Sequence, residues 1–217
     1  MKWAGWAGDG IGTSSGAGRP GDRRVGDEGQ VSPVRHVRGA AAASGRDGVI
    51  LGAVLAGGRS RRFGSDKAQA LLDGRSLLEN ARAAIAPHVD AVVVCGGPDG
   101  LPDRPVSGLG PLGGLNAALH HALAIGASGV LTTGCDTPVF PEAAARALIG
   151  DGPAVLEGHR LLGYWPVGLA DDLDAHLAES DDRSIRAWMA RVGARVAPFA
   201  GAPLPNINTP ADLAALR

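Results

Sequence analysis

Lys67 is one of only two lysines, with Lys2, in a chain of 217 residues that otherwise draws its permanent positive charge from arginine. An ammonium on a flexible stem and a planar guanidinium are not interchangeable, so a lone lysine among arginines points to a site that needs a point charge. It ends a loop, residues 57–67, that also holds Gly57, Gly58, Arg59, Arg61 and Arg62. The paired glycines let the backbone turn and present N–H groups with no Cβ in the way, and crowded N–H groups among cations form a concave anion site. The chemistry of residues 57–67 is therefore that of a grip on the phosphates of a nucleoside triphosphate. It is not a Walker A loop: Ser65 and Asp66 separate Gly64 from Lys67, and Ala68 stands where that motif needs Ser or Thr. A solvated basic turn is the competing reading.

Asp136 follows an apolar run, 129–134, directly. An ionised carboxylate there is acceptor-only and suits a hard divalent ion such as Mg2+. Helix capping is the alternative role, but the next helix is expected to begin about five residues on, too far for a cap. Asn206 and Asn208 flank Ile207 and point to one side of an extended segment, where turn and N-cap chemistry is the competing use. Gly108, Gly110 and Gly113 satisfy GxGxxG, yet no buried strand precedes them and Pro111 interrupts the motif, so a Gly/Pro turn feeding a helix competes. GDGIG at 8–12 has neither strand before nor helix after and carries no weight.

These residues need elements to hold them. From Gly48 onward short apolar runs alternate with amphipathic segments, which predicts an α/β fold, a single-domain three-layer sandwich around a mostly parallel, Rossmann-like sheet. Strands are expected at 49–55, 91–95, 129–134, 153–156 and 194–198. Helices are expected at 76–86, 114–125, 141–149, 170–178, 183–192 and 210–216, with Pro87 closing the first and Asn208 or Thr209 opening the last. Residues 160–169 read as an extended, hairpin-like stretch in which Tyr164 and Trp165 pack. Ligands of such sheets lie beyond the carboxyl ends of the strands, which is where the loop 57–67 and Asp136 fall. Residues 1–47, rich in Gly, Arg, Ser and Asp and without an apolar period, are expected to be disordered. A native start near Gly48 is one reading of that tail, with residues 48–217 as the domain.

The totals exclude several classes. With 45% apolar and 20% charged residues the composition is that of an ordinary globular domain, and a net charge of −1 gives no general attraction to nucleic acid or an anionic membrane. No apolar run approaches the roughly 20 residues of a membrane span. Two cysteines, Cys95 and Cys135, are too few for a disulfide scaffold and fit a reducing cytoplasm.

The string LAGGRSRRFGSDK resembles the signature LAGGxSxRMGxDK of nucleotidyltransferases of the molybdenum cofactor guanylyltransferase kind, with Phe63 at the usual Met. DRPVSGLGPLGGL resembles that family's Asp seven residues ahead of GPLAGL, here Asp103 and 110–115 with Gly113 for Ala. GCDTPVFP carries its CDTP motif, and PNINTPADL resembles its NVNTPEDL. The resemblance implies a nucleotidyltransferase sheet and transfer of GMP from GTP to molybdopterin, with release of pyrophosphate. It implies catalytic roles for Lys67, Asp136 and Arg62. Leu55, Ala56, Gly57, Gly58, Lys67, Asp103, Gly110, Gly114 and Asp136 would hold the nucleotide. Asp136 and Asn208 would hold Mg2+, and Arg183, Ser184 and Asn206 the molybdopterin. Cys95 stands where the family often has Asn, which leaves a cytidylyltransferase on the same cofactor, or another small-molecule nucleotidyltransferase, as alternatives. A non-catalytic nucleotide-binding chaperone of molybdoenzyme maturation is the alternative of another class, and molybdoenzyme-maturation proteins are further expected partners.

Overall fold

A computed structural model describes residues 35–36, 48–56 and 67–216. The sheet is built on strand β2 (Ile50–Leu55), whose six residues are all buried, as expected of an apolar run with helices on both faces. It pairs in parallel with β5 (Ala91–Cys95) on one side and β6 (Gly129–Gly134) on the other. Gly52 is required in β2 because a Cβ there would stand 2.8 Å from Val89 Cγ2.

Beyond β6 come β8 (His159–Pro166), β7 (Ala154–Leu156) and the edge strand β9 (Arg195–Ala197). Only β8 runs against the others in this half, so the sheet is mostly parallel, as expected. Sequence had placed an extended, hairpin-like stretch at 160–169. The structure makes its first part a central strand and the return arm of a hairpin with β7. Tyr164 and Trp165 are both buried there, and Trp165 Nε1 donates to Thr132 Oγ1 across the sheet at 3.2 Å.

At the opposite edge β1 (Arg35–His36) pairs antiparallel with Ala91 and Val92. It lies within the segment expected to be disordered; 1–34 and 37–47, including the GDGIG string, fall outside the described residues. A small hairpin of β3 (Leu71–Leu72) and β4 (Arg75–Ser76), not foreseen, precedes the first helix. These strands are two residues long, too short for a period to register.

Helices form a layer on each face. Helix α2 (Pro111–Ala124), α4 (Ala170–Glu179) and α5 (Ile185–Val192) pack Leu112, Leu115, Leu119, Leu173, Leu177 and Trp188 against one side. Helix α1 (Leu77–Ile85) and α3 (Glu142–Leu148) cover the other with Ala81, Ile85, Ala144 and Leu148. The three-layer expectation holds. Helix α1 starts on a capping box: Glu79 N–H donates to Ser76 Oγ at 3.1 Å, and Ser76 N–H donates to Glu79 Oε2 at 2.9 Å. The Ser76 hydroxyl and N–H also hold the Glu79 carboxyl below its usual range.

Helix α2 begins three residues before the expected 114. Pro111 is the cause: counted against the glycine motif in the sequence, it occupies the first helical position, where its missing N–H has no intrahelical partner to lose. The preceding Gly110 caps α2 at φ 66°, ψ −153°, a conformation essentially restricted to glycine. The final helix, α6 (Pro210–Ala214), is capped by Thr209 in a second capping box, with Asp212.

Candidate active site

The carboxyl ends of β2 and β6 bring together residues far apart in the chain. Lys67 opens a 3-10 turn, Lys67–Gln69, which is fastened by the buried Ala68 and by Ala70 N–H donating to Lys67 O at 3.1 Å. Its ammonium lies 3.4 Å from Asp136 Oδ2 and 3.2 Å from Asn208 Oδ1. The Lys67 side chain is 12% exposed and that of Asp136 21%, so a charged pair sits at the mouth of a site with limited water around it.

Asp136 is held by the turn after β6. Thr137 N–H donates to Gly134 O at 3.2 Å, and Asp136 O accepts from Ile207 N–H at 2.9 Å, which brings residues 206–208 alongside. Gly134 makes room for the carboxylate: a Cβ there would overlap Asp136 Oδ1 and come within 3.0 Å of Leu161 Cδ1. Gly134→Ala is therefore expected to turn the Asp136 carboxylate out of place and lower turnover by about 10- to 100-fold, since small misplacements at a reacting centre cost that much. The loss of fold stability would be only ~1–3 kcal/mol, the usual overpacking penalty. Turnover and thermal midpoint measured side by side check this; unchanged turnover would show that the observed carboxylate orientation is not needed.

The second capping box frees Asn208 from cap duty. Thr209 Oγ1 accepts from Asp212 N–H at 3.2 Å, and Asp212 Oδ2 accepts the backbone N–H of both Asn208 and Thr209 at 2.8 Å. Those N–H groups hold the Asp212 carboxyl below its usual range. With its backbone fixed, Asn208 turns its side-chain oxygen to Lys67. Asp136 and Asn208 thus aim two hard oxygens at one point where a cation already sits. That donor set fits Mg2+, which takes one or two protein oxygens and completes its octahedron with water and substrate phosphate. No group of three or more His, Cys, Asp or Glu side chains able to hold a metal occurs among the described residues.

A second wall lies over β2 and β5. Asp103 packs against the first turn of α2, where Gly113 allows the approach: a Cβ at 113 would stand 2.9 Å from Asp103 Cβ. Asp103 Oδ2 accepts from Gly108 N–H at 3.1 Å, whereas Oδ1 is buried and has no hydrogen-bond partner among the described residues. A buried carboxylate oxygen without a donor is costly, and it suits a ligand that brings N–H groups. Gly114 lets α2 close on the strand ends, its missing Cβ being 3.1 Å from Cys95 Cβ and 3.3 Å from Leu55 Cδ2. Burial, with the Asp103 charge beside it, pushes the Cys95 thiol up to about 12, so Cys95 behaves as an inert small apolar group.

Not every expected residue contributes as read from sequence. Ala56 N–H donates to Cys95 O at 2.9 Å, so it continues the strand pairing and is not available to a phosphate. Gly57, Gly58 and Arg62 lie outside the described residues. Ser184 is the N-cap of α5, its hydroxyl accepting from Ala187 N–H at 3.1 Å. Neither Ser184 nor Arg183 lines the cleft that adjoins Asp136, whereas Asn206 does. That cleft, of about 390 Å3, is walled by Asp136, Thr137, Asn206, the turn residue Gly158 and the start of β8 from His159 to Leu162. His159 and Arg160 went unassigned in the sequence because nothing in their spacing marks them; only the pairing of β8 with β6 brings them here. Cys135 is half-buried in the turn after β6. His120 ties α2 to α4 through Asp174 Oδ2 at 2.8 Å, and Asn116 reaches Asp174 Oδ1 at 2.6 Å.

Comparison with known proteins agrees with this geometry. Residues 52–196 match the model of the MobA-like NTP transferase domain. A molybdenum cofactor guanylyltransferase from Sinorhizobium fredii is 40% identical over 189 residues, covering 74% of this chain and 87% of that protein. One from Rhodobacter capsulatus is 38% identical over 181 residues, covering 76% and 93%. In fold, the chain superposes on molybdopterin-guanine dinucleotide biosynthesis protein A from Archaeoglobus fulgidus with a TM-score of 0.56, at 20% identity over 76% of this chain and 96% of that one. With a family match across the sheet and its helices, and relatives of this identity over most of their length, the chain belongs to the MobA-like NTP transferase family and is a nucleotidyltransferase.

Proposed function

We propose that the enzyme transfers GMP from GTP to molybdopterin, the terminal phosphate of the acceptor attacking the α-phosphorus and pyrophosphate leaving. The observation that carries this is the meeting of Lys67, Asp136 and Asn208 at the carboxyl edge of the sheet, in a chain whose relatives are named for that reaction. Phosphoryl-type transfer asks little covalent chemistry of side chains, so the protein's work is positioning and charge compensation. Lys67 holds the triphosphate from the β2 side, together with the backbone of Gly57 and Gly58 and the guanidinium of Arg62. Asp136 and Asn208 hold Mg2+, which when bound neutralises charge developing on the phosphate oxygens. Asp103 Oδ1 accepts from the N–H edge of the guanine ring, while Gly110 and Gly114 let the first turn of α2 stand close to the base. Asn206, in the cleft beyond Asp136, faces the acceptor. Arg183 contributes to the acceptor from outside that cleft, and Ser184 acts through the placement of α5.

The test is release of pyrophosphate on mixing the protein with Mg2+, molybdopterin and either GTP or CTP. Release with GTP at a rate well above that with CTP is expected. Preference for CTP would make the enzyme a cytidylyltransferase, and no release with either would make it a binding protein.

A further inference from the structure

The cleft beyond Asp136 presents polar groups that the nucleotide half of the site does not use. Antiparallel pairing sets Thr132 of β6 against Gly163 of β8, and the same register carried past Gly134 brings the Asp136 turn opposite the first residues of β8. His159 and Arg160 therefore stand across the cleft from Asp136, with Asn206 as a neighbour. Neither the His159 nor the Arg160 side chain has a hydrogen bond or ion pair with another described residue. Among the residues lining the cleft, Arg160 alone carries a permanent positive charge. A β-hairpin tip is a firm mount for it: β7 and β8 meet at Leu156 and His159, next to the turn through Gly158.

This arrangement answers a problem set by the reaction proposed above, on which the inference rests. An acceptor ending in a phosphate monoester approaches the triphosphate as an anion approaching an anion. Its attacking oxygen is already ionised, so no general base is required. That oxygen bonds to the α-phosphorus, the bond from that phosphorus to the bridging oxygen breaks, and the bonding pair leaves with pyrophosphate. What the acceptor side must supply is a positive charge that cancels repulsion and fixes the phosphate in line. Lys67 lies on the nucleotide side of Asp136 and cannot serve both anions.

We propose that Arg160 holds the terminal phosphate of the acceptor, its planar fork taking two phosphate oxygens while His159 donates beside it, and that it sets the acceptor's affinity. Arg160 is exposed at the rim, so its replacement leaves the fold unstrained. The test uses the full chain with Mg2+, varying GTP and molybdopterin separately. Arg160→Ala should raise KM for molybdopterin about tenfold or more while KM for GTP changes less than about twofold, the size of effect given by a charge-assisted hydrogen-bond pair. Arg160→Lys, which restores charge without the fork, should fall between. Inorganic phosphate should compete with molybdopterin in the wild type and lose potency against Arg160→Ala. An unchanged KM for molybdopterin in Arg160→Ala, or an equal rise for GTP, overturns the assignment. If the wild type releases no pyrophosphate, the guanylyl-transfer reading fails by itself. Equilibrium titration of both proteins with molybdopterin then decides the Arg160 question, equal affinities counting against it.

Discussion

Lys67→Ala is expected to lower turnover by two or more orders of magnitude in a protein that remains folded. The first half of that statement follows from where the ammonium sits. It is the one described lysine, its side chain is only 12% exposed, and it is held against Asp136 and Asn208 at the edge of the sheet where ligands of this architecture bind. Loss of a single preorganised charge-stabilising donor commonly costs about 10²–10³ in turnover, because no water can be placed as well. The second half follows from the anchoring of the backbone. The turn at Lys67–Gln69 is fixed by buried Ala68 and by main-chain bonds, among them Leu77 N–H to Ala70 O at 2.9 Å, none of which involves the ammonium. A partly exposed ion pair at 3.4 Å contributes on the order of 1 kcal/mol at most. Lys67→Arg is expected not to rescue, since a guanidinium is larger and directs its donors in a plane. Steady-state turnover with the thermal midpoint as control checks both halves. Near-normal activity in Lys67→Ala would remove Lys67 from the site.

The parts of this molecule that were legible in its sequence share a physical cause. Strands β2 and β5 are apolar throughout, and β6 carries no charge, because helices cover both faces, and a run of that kind is visible without knowing its partners. The glycines and the lone lysine were visible because their chemistry is specific: Gly110 adopts a backbone conformation few other residues tolerate, and Lys67 contrasts with an arginine-using chain. Thr209 could not be chosen over Asn208 as the cap, because both are good caps and only the side-chain geometry separates them.

What stayed hidden depends on pairing at long range. β8 contains Gly163 and ends on Pro166, which obscures its alternation, and its central place follows from hydrogen bonds to β6 about 30 residues away. His159 and Arg160 have no local signal for the same reason. Pro111 misled in the opposite direction, since a proline that breaks a motif in one reading begins a helix in another. The resemblance puts Ala56 among the residues holding the nucleotide, yet β5 claims its N–H. For β8 and Ala56 the deciding partner lies on another strand.

Asp136→Asn tests the metal half of the site and should be the other large effect. The amide keeps the shape of the carboxyl and leaves untouched the bonds that hold the turn, Ile207 N–H to Asp136 O and Thr137 N–H to Gly134 O, so the fold is expected to be unaffected. What changes is charge: an amide oxygen is a far weaker ligand for a hard divalent ion, and Asn208 adds only another neutral oxygen. Turnover should fall by about 10²–10³, and the affinity for GTP should cease to respond to Mg2+, read by equilibrium titration of GTP at several Mg2+ concentrations. A variant that responds to Mg2+ as the wild type does would place the metal elsewhere. The double variant Lys67→Ala/Asp136→Asn sharpens the result. Lys67 and Asp136 are in contact and, in the function proposed, act on one triphosphate, so their effects should not multiply: the double variant should lose markedly less than the product of the two single losses. Simple multiplication would mean that the ammonium and the carboxylate act on separate steps, and the contact between them would then be a feature of the ligand-free protein alone.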